Sequence, residues 1–203
     1  MTIIVTIKTD NKIIIGTDKR IIEGDTIISE DASKILIKEL LIDRPDALID
    51  YDEFLIAFSG VYSLYELLKT YTPPRMGSKD TFQEYLYKKL VPDLNKYLEK
   101  YNFISDYHGQ SGVDWELIIA YHNQLFLVEY NLGICEIETP YYATGSPRDI
   151  ALGSLYTTNL KKHPVEINMV KTAIQACAAH NTTCNNEMEI YSIHETGQIT
   201  KIK

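Results

Sequence analysis

Met1-Thr2-Ile3-Ile4-Val5-Thr6-Ile7-Lys8-Thr9-Asp10-Asn11-Lys12-Ile13-Ile14-Ile15-Gly16-Thr17-Asp18-Lys19-Arg20 is the stretch whose reading decides the fold. Residues 2–8 are rich in β-branched side chains, and 13–15 form a continuous β-branched run. Thr9-Asp10-Asn11 between them has turn chemistry, so the stretch predicts a β-hairpin. A strand so early holds the amino-terminal residues inside the fold. With Met1 removed, Thr2 would present an α-amine and a hydroxyl on one residue, a base and a nucleophile already joined.

The chain has 203 residues, which predicts one domain over residues 1–203 with a sizeable core. A formal charge of −8 gives no basic surface for nucleic acid or for an anionic membrane. No apolar run approaches the length of a membrane span. The start of the chain lacks a basic segment followed by an apolar core and cleavage site, so no signal peptide is expected. Cys135, Cys177 and Cys184 are an odd, sparse set, better suited to a reducing cytoplasm than to a disulfide scaffold. The expectation is a soluble, acidic, cytoplasmic protein.

Working outward from the first hairpin, residues 21–25 lead through Gly24-Asp25 into 26–29, and 32–37 read as a further strand. Residues 38–53 are charged and read as irregular, with a turn at Arg44-Pro45-Asp46. Phe54-Leu55-Ile56-Ala57-Phe58 is a buried strand ending at Ser59-Gly60. Leu64, Leu67, Leu68 and Tyr71 then keep helical spacing up to Pro73-Pro74. A second helical pattern runs from Phe82 to Tyr101, with Asp80 and Gln83 as its capping box and Pro92 as its kink or break. Residues 102–114 read as a loop. Three strands follow at 115–121, 125–130 and 134–139, joined by tight turns, and a fourth at 141–144. Helices are expected near 150–156 and 165–180, and a closing hairpin turns at Gly197. Strands, paired helices, strands, paired helices and strands favour an α+β layered sandwich.

That order, with the residues in it, resembles the β-type subunits of the proteasome and the bacterial HslV peptidase. The likeness rests on Thr2-Ile3-Ile4-Val5, Gly16-Thr17-Asp18-Lys19-Arg20, Asp31-Ala32-Ser33-Lys34-Ile35, Ala57-Phe58-Ser59-Gly60 and Ala143-Thr144-Gly145-Ser146. Residues 151–156 and 189–193 follow the same pattern. The likeness runs over nearly the whole chain, and the spacing of Thr2, Asp18 and Lys34 makes it specific. It implies a four-layer αββα sandwich of two antiparallel sheets between helix pairs, the N-terminal nucleophile hydrolase fold.

The resemblance also implies a threonine-type peptidase subunit. Thr2 is then the nucleophile and base, with a free α-amine titrating near ~8. Lys34 disfavours a second positive charge beside that amine, and Asp18 anchors Lys34. The backbone N–H of Gly60 is the oxyanion donor, typically worth ~3 kcal/mol in comparable sites. Ser146 hydrogen-bonds near the amine and its water. Ile22, Ala32 and Phe58 are candidates for the peptide channel and its first pocket. The implied partners are unfolded protein or peptide substrates, copies of the chain in a homo-oligomeric ring or stacked rings, and an AAA+ ATPase unfoldase. No cofactor and no metal is implied.

Departures from the pattern keep two alternatives open. The family's supporting aspartate and serine fall on Asn181 and Cys184, and a family residue with a small hydroxyl falls on Ile22. Residues 42–53 are an acidic insertion, read as a surface hairpin or a contact with a neighbouring subunit. The alternatives are a non-catalytic assembly subunit with the same fold, and an amidase acting on small-molecule amides. Taken alone, each assigned residue has a plainer role: Asp18 in a turn, Lys34 on an edge strand, Gly60 in a strand-to-helix turn, Ser146 as a helix cap. Cys177, His180 and Cys184 lack a fourth ligand, so structural cysteines are the better reading. There is no nucleophile elbow around Gly145-Ser146, no phosphate-binding loop and no dinucleotide fingerprint.

Overall fold

The computed structural model describes residues 2–46, 48–103, 105–107, 110–112, 115–129, 131–160 and 165–202. The expected first hairpin is β1 (Ile3–Lys8) and β2 (Lys12–Asp18), with Val5 opposite Gly16 and Ile7 opposite Ile14. β3 (Ile21–Glu23) and β4 (Thr26–Ser29) form a separate ribbon. β5 (Ile35–Asp43) and β6 (Ile49–Gly60) then make one long antiparallel hairpin.

This hairpin corrects two expectations. Residues 38–53 are mostly strand; exposed Glu39, Tyr51 and Glu53 mask an alternation in which Lys38 and Leu40 are buried. The strand also starts at Ile35 rather than at Ala32. The N–H groups of Lys34 and Ile35 donate to the Glu189 carboxylate instead of to a neighbouring strand.

α1 (Tyr62–Thr70) follows, and the buried Lys38 ammonium satisfies carbonyls at its end, donating to Lys69 O at 3.1 Å and Tyr71 O at 2.8 Å. β7 (Met76–Gly77) lies parallel to the end of β5, the one departure from wholly antiparallel sheets among the described residues. α2 (Phe82–Tyr85) passes through a π turn at Leu86–Leu90 into α3 (Val91–Glu99). Pro92 sits in the first turn of α3, directly after that wider turn, so the helix expected to kink or break at Pro92 continues through it with a local change of winding. The capping box is made one residue later than expected. Thr81 Oγ1 accepts from the Glu84 N–H at 3.2 Å, and Glu84 accepts from the Thr81 N–H at 3.1 Å. Asp80 instead accepts from the Gly77 N–H and pairs with Lys89.

Within 102–114, expected as a loop, β8 (Ser105–Tyr107) pairs with β9 (Gln110–Gly112); residues 104, 108, 109, 113 and 114 lie outside the described residues. β10 (Trp115–Tyr121), β11 (Gln124–Val128), β12 (Ile134–Glu136) and β13 (Tyr141–Gly145) come next. α4 (Arg148–Asn159), α5 (Glu166–His180), β14 (Met188–His194) and β15 (Ile199–Lys201) complete the order.

Two sheets result, β13-β1-β2-β14-β15 and β12-β11-β10-β6-β5-β7. Alternation on β1 explains why its run is apolar throughout. Ile3, Val5 and Ile7 pack with α4 and α5 residues such as Leu155, Val170 and Ile174, while Ile4 meets Leu55, Ala57 and Ile118 of the other sheet. The far face of that second sheet packs Phe54, Phe58, Leu117 and Phe126 against Leu64, Leu68, Leu86 and Leu94 of the first helices. The architecture is the four-layer α+β sandwich expected. Gly16 lets α5 ride close on β2, since a Cβ there would lie 2.4 Å from Val170 Cγ1. No helix among the described residues is long and apolar enough to cross a membrane.

Gly145 is fixed by the strand it pairs with. Its φ is +107°, and a Cβ would lie 1.9 Å from the Thr2 carbonyl oxygen. Gly145→Ala should lose about 1–3 kcal/mol from the backbone strain alone, read as a lower denaturation midpoint. The cysteines give a second check. Cys177 and Cys184 are buried and Cys135 is exposed; burial pushes the Cys177 and Cys184 thiols up to about 11 and about 12. At pH 8 a disulfide reagent should therefore titrate one thiol of the native protein, and all three after unfolding.

Candidate active site

β2 ends at Asp18 beside the start of β1, and the carboxylate is fully buried there. Its Oδ1 accepts from the Ile3 N–H at 3.1 Å and from Lys34 Nζ at 2.9 Å. Its Oδ2 accepts from the Arg20 N–H at 3.1 Å. Lys34 Nζ also donates to the Arg20 carbonyl at 2.6 Å. Two of the three ammonium N–H groups are thus used, and Lys34 also lines a cavity of about 720 Å³. Burial pulls the Lys34 ammonium below the usual lysine range, while Asp18 acts in the opposite direction. One carboxylate therefore links the backbone just after Thr2 to the lysine ammonium.

The cavity brings together Thr2, Lys34, Gly60 and Ser146 from four separate parts of the chain. Gly60 closes β6 with φ +145°, a conformation suited to glycine, and turns the chain into α1. The side chain of Ser146 does not cap α4, as its sequence position suggested; Pro147 occupies the cap and Ser146 faces the cavity. Asp18 stands behind Lys34 rather than on the cavity wall.

Of the pocket candidates, Ile22 and Phe58 line the cavity. Ala32 is buried and is not among the described lining residues, because the chain at 32 hydrogen-bonds back to the Lys19 carbonyl. Further apolar walls that the sequence reading missed are Ile21, Ile28 and Val61, with Tyr62 and Glu66 beside them. Tyr62 donates to Glu66 at 3.2 Å, and burial with that carboxylate pushes the phenol up to about 12. The helical spacing of α1 carried that signal, since Tyr62 and Glu66 are one turn apart on the helix that follows Gly60.

Cys184 lies near enough to Asp18 and Lys34 for their charges to act on its thiol, and its N–H donates to the Asn181 carbonyl. The Asn181 Oδ1 accepts from the Thr183 N–H at 2.9 Å and from the Thr183 hydroxyl, so it closes its own turn. Arg20 was also missed. Its guanidinium donates to Glu30 and to the Thr182 carbonyl, tying this turn to the β3–β4 ribbon. No group of three or more His, Cys, Asp and Glu side chains among the described residues is placed to hold a metal ion.

No protein-family model matches the chain, and no curated protein matches it in sequence. Solved structures do match in fold. Thiobacillus denitrificans BPH in complex with epoxomicin superposes with a TM-score of 0.73 at 18% identity, covering 96% of this chain and 98% of that one. Thiobacillus denitrificans BPH gives 0.72 at 16% identity, with 98% and 100% covered. Eukaryotic HslV from Trypanosoma brucei gives 0.62 at 12% identity, with 95% and 99% covered. At these identities the likeness is one of architecture: this chain has the αββα fold of BPH and HslV.

Proposed function

We propose that the protein is a threonine-type peptidase subunit whose nucleophile is Thr2, freed by removal of the residue before it. The observation that carries this reading is the shared Asp18 oxygen, which joins the backbone after Thr2 to Lys34 at the wall of one cavity with Gly60 and Ser146. In the first step the Thr2 α-amine takes the proton of its own hydroxyl, directly or through water, and the oxygen attacks the peptide carbonyl. The Gly60 N–H accommodates the oxyanion. Collapse expels the leaving amine, which receives the proton from the α-ammonium. Water then attacks the ester by the same route in reverse. The Lys34 charge keeps the amine neutral near pH 7, and the apolar wall of Ile21, Ile22, Ile28, Phe58 and Val61 receives a bulky apolar side chain of the substrate.

BPH and HslV lend this reading their fold, and the epoxomicin complex of BPH supplies the probe. Assembly of this subunit into a homo-oligomeric ring, and feeding by an ATPase unfoldase, belong to the same proposal. Asn181 favours a second reading, a non-catalytic subunit of the same fold. Its side chain serves its own turn and brings no negative charge to the amine.

The experiment is intact-mass analysis before and after epoxomicin, whose epoxyketone needs both the free amine and the hydroxyl of an amino-terminal threonine. Protein beginning at Thr2 and gaining one adduct is expected, with neither adduct nor peptide hydrolysis in Thr2→Ala. Unprocessed, unlabelled protein favours the non-catalytic reading, and turnover of simple amides alone favours an amidase. Activity should also fall on the acid side. The amine must be neutral to act as base, so kcat/KM drops as pH falls through an apparent pKa below ~8. Lys34→Ala should lower kcat by about 10²-fold or more and move that limb up toward ~8.

A further inference from the structure

β14 carries one residue out of keeping with its surroundings. Tyr191 and Ile193 of this strand enter the apolar layer between the two sheets, and Glu189 has the same parity. It is 1% exposed. A bare carboxylate in such a layer is costly unless every oxygen is engaged. Here both are. Oε1 accepts from the N–H of Lys34 and, at 3.0 Å, from the N–H of Ile35; Oε2 accepts from the Ser33 hydroxyl at 2.9 Å. Ser33 and Lys34 lead into Ile35, the first residue of β5 in the other sheet, and Glu189 is directly opposite Thr17, the neighbour of Asp18, on β2.

Glu189 thus clamps the backbone that carries Lys34 to the strand next to the one that ends at Asp18. The ammonium has two anchors at its tip, Asp18 and the Arg20 carbonyl, and Glu189 supplies the anchor at its root. We propose that Glu189 is a positioning residue that sets Lys34 against Asp18 beneath Thr2, a role that rests on the peptidase reading above. Without it two buried N–H groups lose their acceptor, β5 is free to begin earlier in the chain, and the Lys34 tip shifts away from the cavity wall.

Two substitutions separate position from charge. In Glu189→Gln the amide oxygen still accepts from Lys34 and Ile35, and the amide nitrogen can donate to Ser33, so the clamp survives uncharged. Glu189→Ala removes both clamp and charge. With peptide substrate, Glu189→Ala should lose about 10–100-fold in kcat with KM changed by less than about twofold, and Glu189→Gln should recover most of that loss. Both variants lack the charge, so the acid limb of kcat/KM should lie higher in Glu189→Ala than in Glu189→Gln, because only in the former does Lys34 leave the amine. The side-chain ¹⁵N resonance of Lys34, assigned with Lys34→Arg, should move in Glu189→Ala and stay in Glu189→Gln. That signal is independent of turnover. If the wild-type protein cleaves no peptide, the resonances still decide the clamp while the peptidase reading falls. A folded Glu189→Ala with wild-type kcat and an unmoved Lys34 signal overturns the proposal, as does a Glu189→Gln no better than Ala. Should Glu189→Ala not fold, Glu189→Asp, too short to reach both amides, takes its place against Gln with the same expectations.

Discussion

A single carboxylate oxygen, Asp18 Oδ1, receives the N–H of Ile3 and the ammonium of Lys34 in a region closed to solvent. Burying a carboxylate and an ammonium costs several kcal/mol per ion, which mutual attraction offsets only when the remaining donors and acceptors are also engaged. Asp18 meets that condition through the Arg20 N–H; Lys34 meets it in part through the Arg20 carbonyl, with its third N–H left toward the cavity it lines. The result is a rigid link between the first strand, the end of the second and the segment that opens the other sheet. Thr2 inherits its place from this link, because it is the residue before Ile3.

The rest of the fold holds that link in register and leaves it one opening, the cavity that Lys34 lines. Helices on the outer faces and apolar side chains between the sheets shield it, and a glycine at 145 allows the neighbouring strand to pass against the Thr2 carbonyl. Glu189 brings a second buried carboxylate to the same junction, satisfied wholly by the backbone and hydroxyl of 33–35. Two acidic groups therefore meet one lysine here, one at its tip and one at its root. The buried charges of the middle layer stand where chemistry is proposed, and most of the rest of that layer is aliphatic, with Tyr191 and Tyr142 among it.

Where the chain departs from the pattern it resembles, the structure finds local uses for the substituted residues. Asn181 stabilises the turn after α5, and Cys184 is buried next to it with a thiol that burial holds protonated. Residues 42–53, read above as an insertion, form the outer end of the β5–β6 hairpin, and their acidic composition suits its exposed face. The Asp18 carboxylate joins the Ile3 N–H to Lys34 alongside them.

Sequence by itself determined the elements whose signal is local: the first hairpin from its β-branched runs, the apolar strand at 54–58, the helix-spaced leucines after Gly60, and the layered order of strands and paired helices. It also marked Thr2, Asp18, Lys34, Gly60 and Ser146, through spacing and resemblance. Tertiary structure decided what depends on partners distant in the chain. Residues 38–53 read as irregular because the packed face carries a charge at Lys38 and the outer end of the hairpin has no buried face, so little hydrophobic alternation is left in the sequence. The start of β5 moved from 32 to 35 because a glutamate over 150 residues later claims its N–H groups. Glu189 itself stands in an apolar strand, a visible anomaly in sequence, yet only the packing of two sheets shows what it holds. Ala32 belongs to the same lesson: Lys34, two residues on, lines the site, while Ala32 itself is buried with its N–H bonded to the Lys19 carbonyl. Hydrogen bonds between sheets carry no periodicity, so no reading along the chain reveals them.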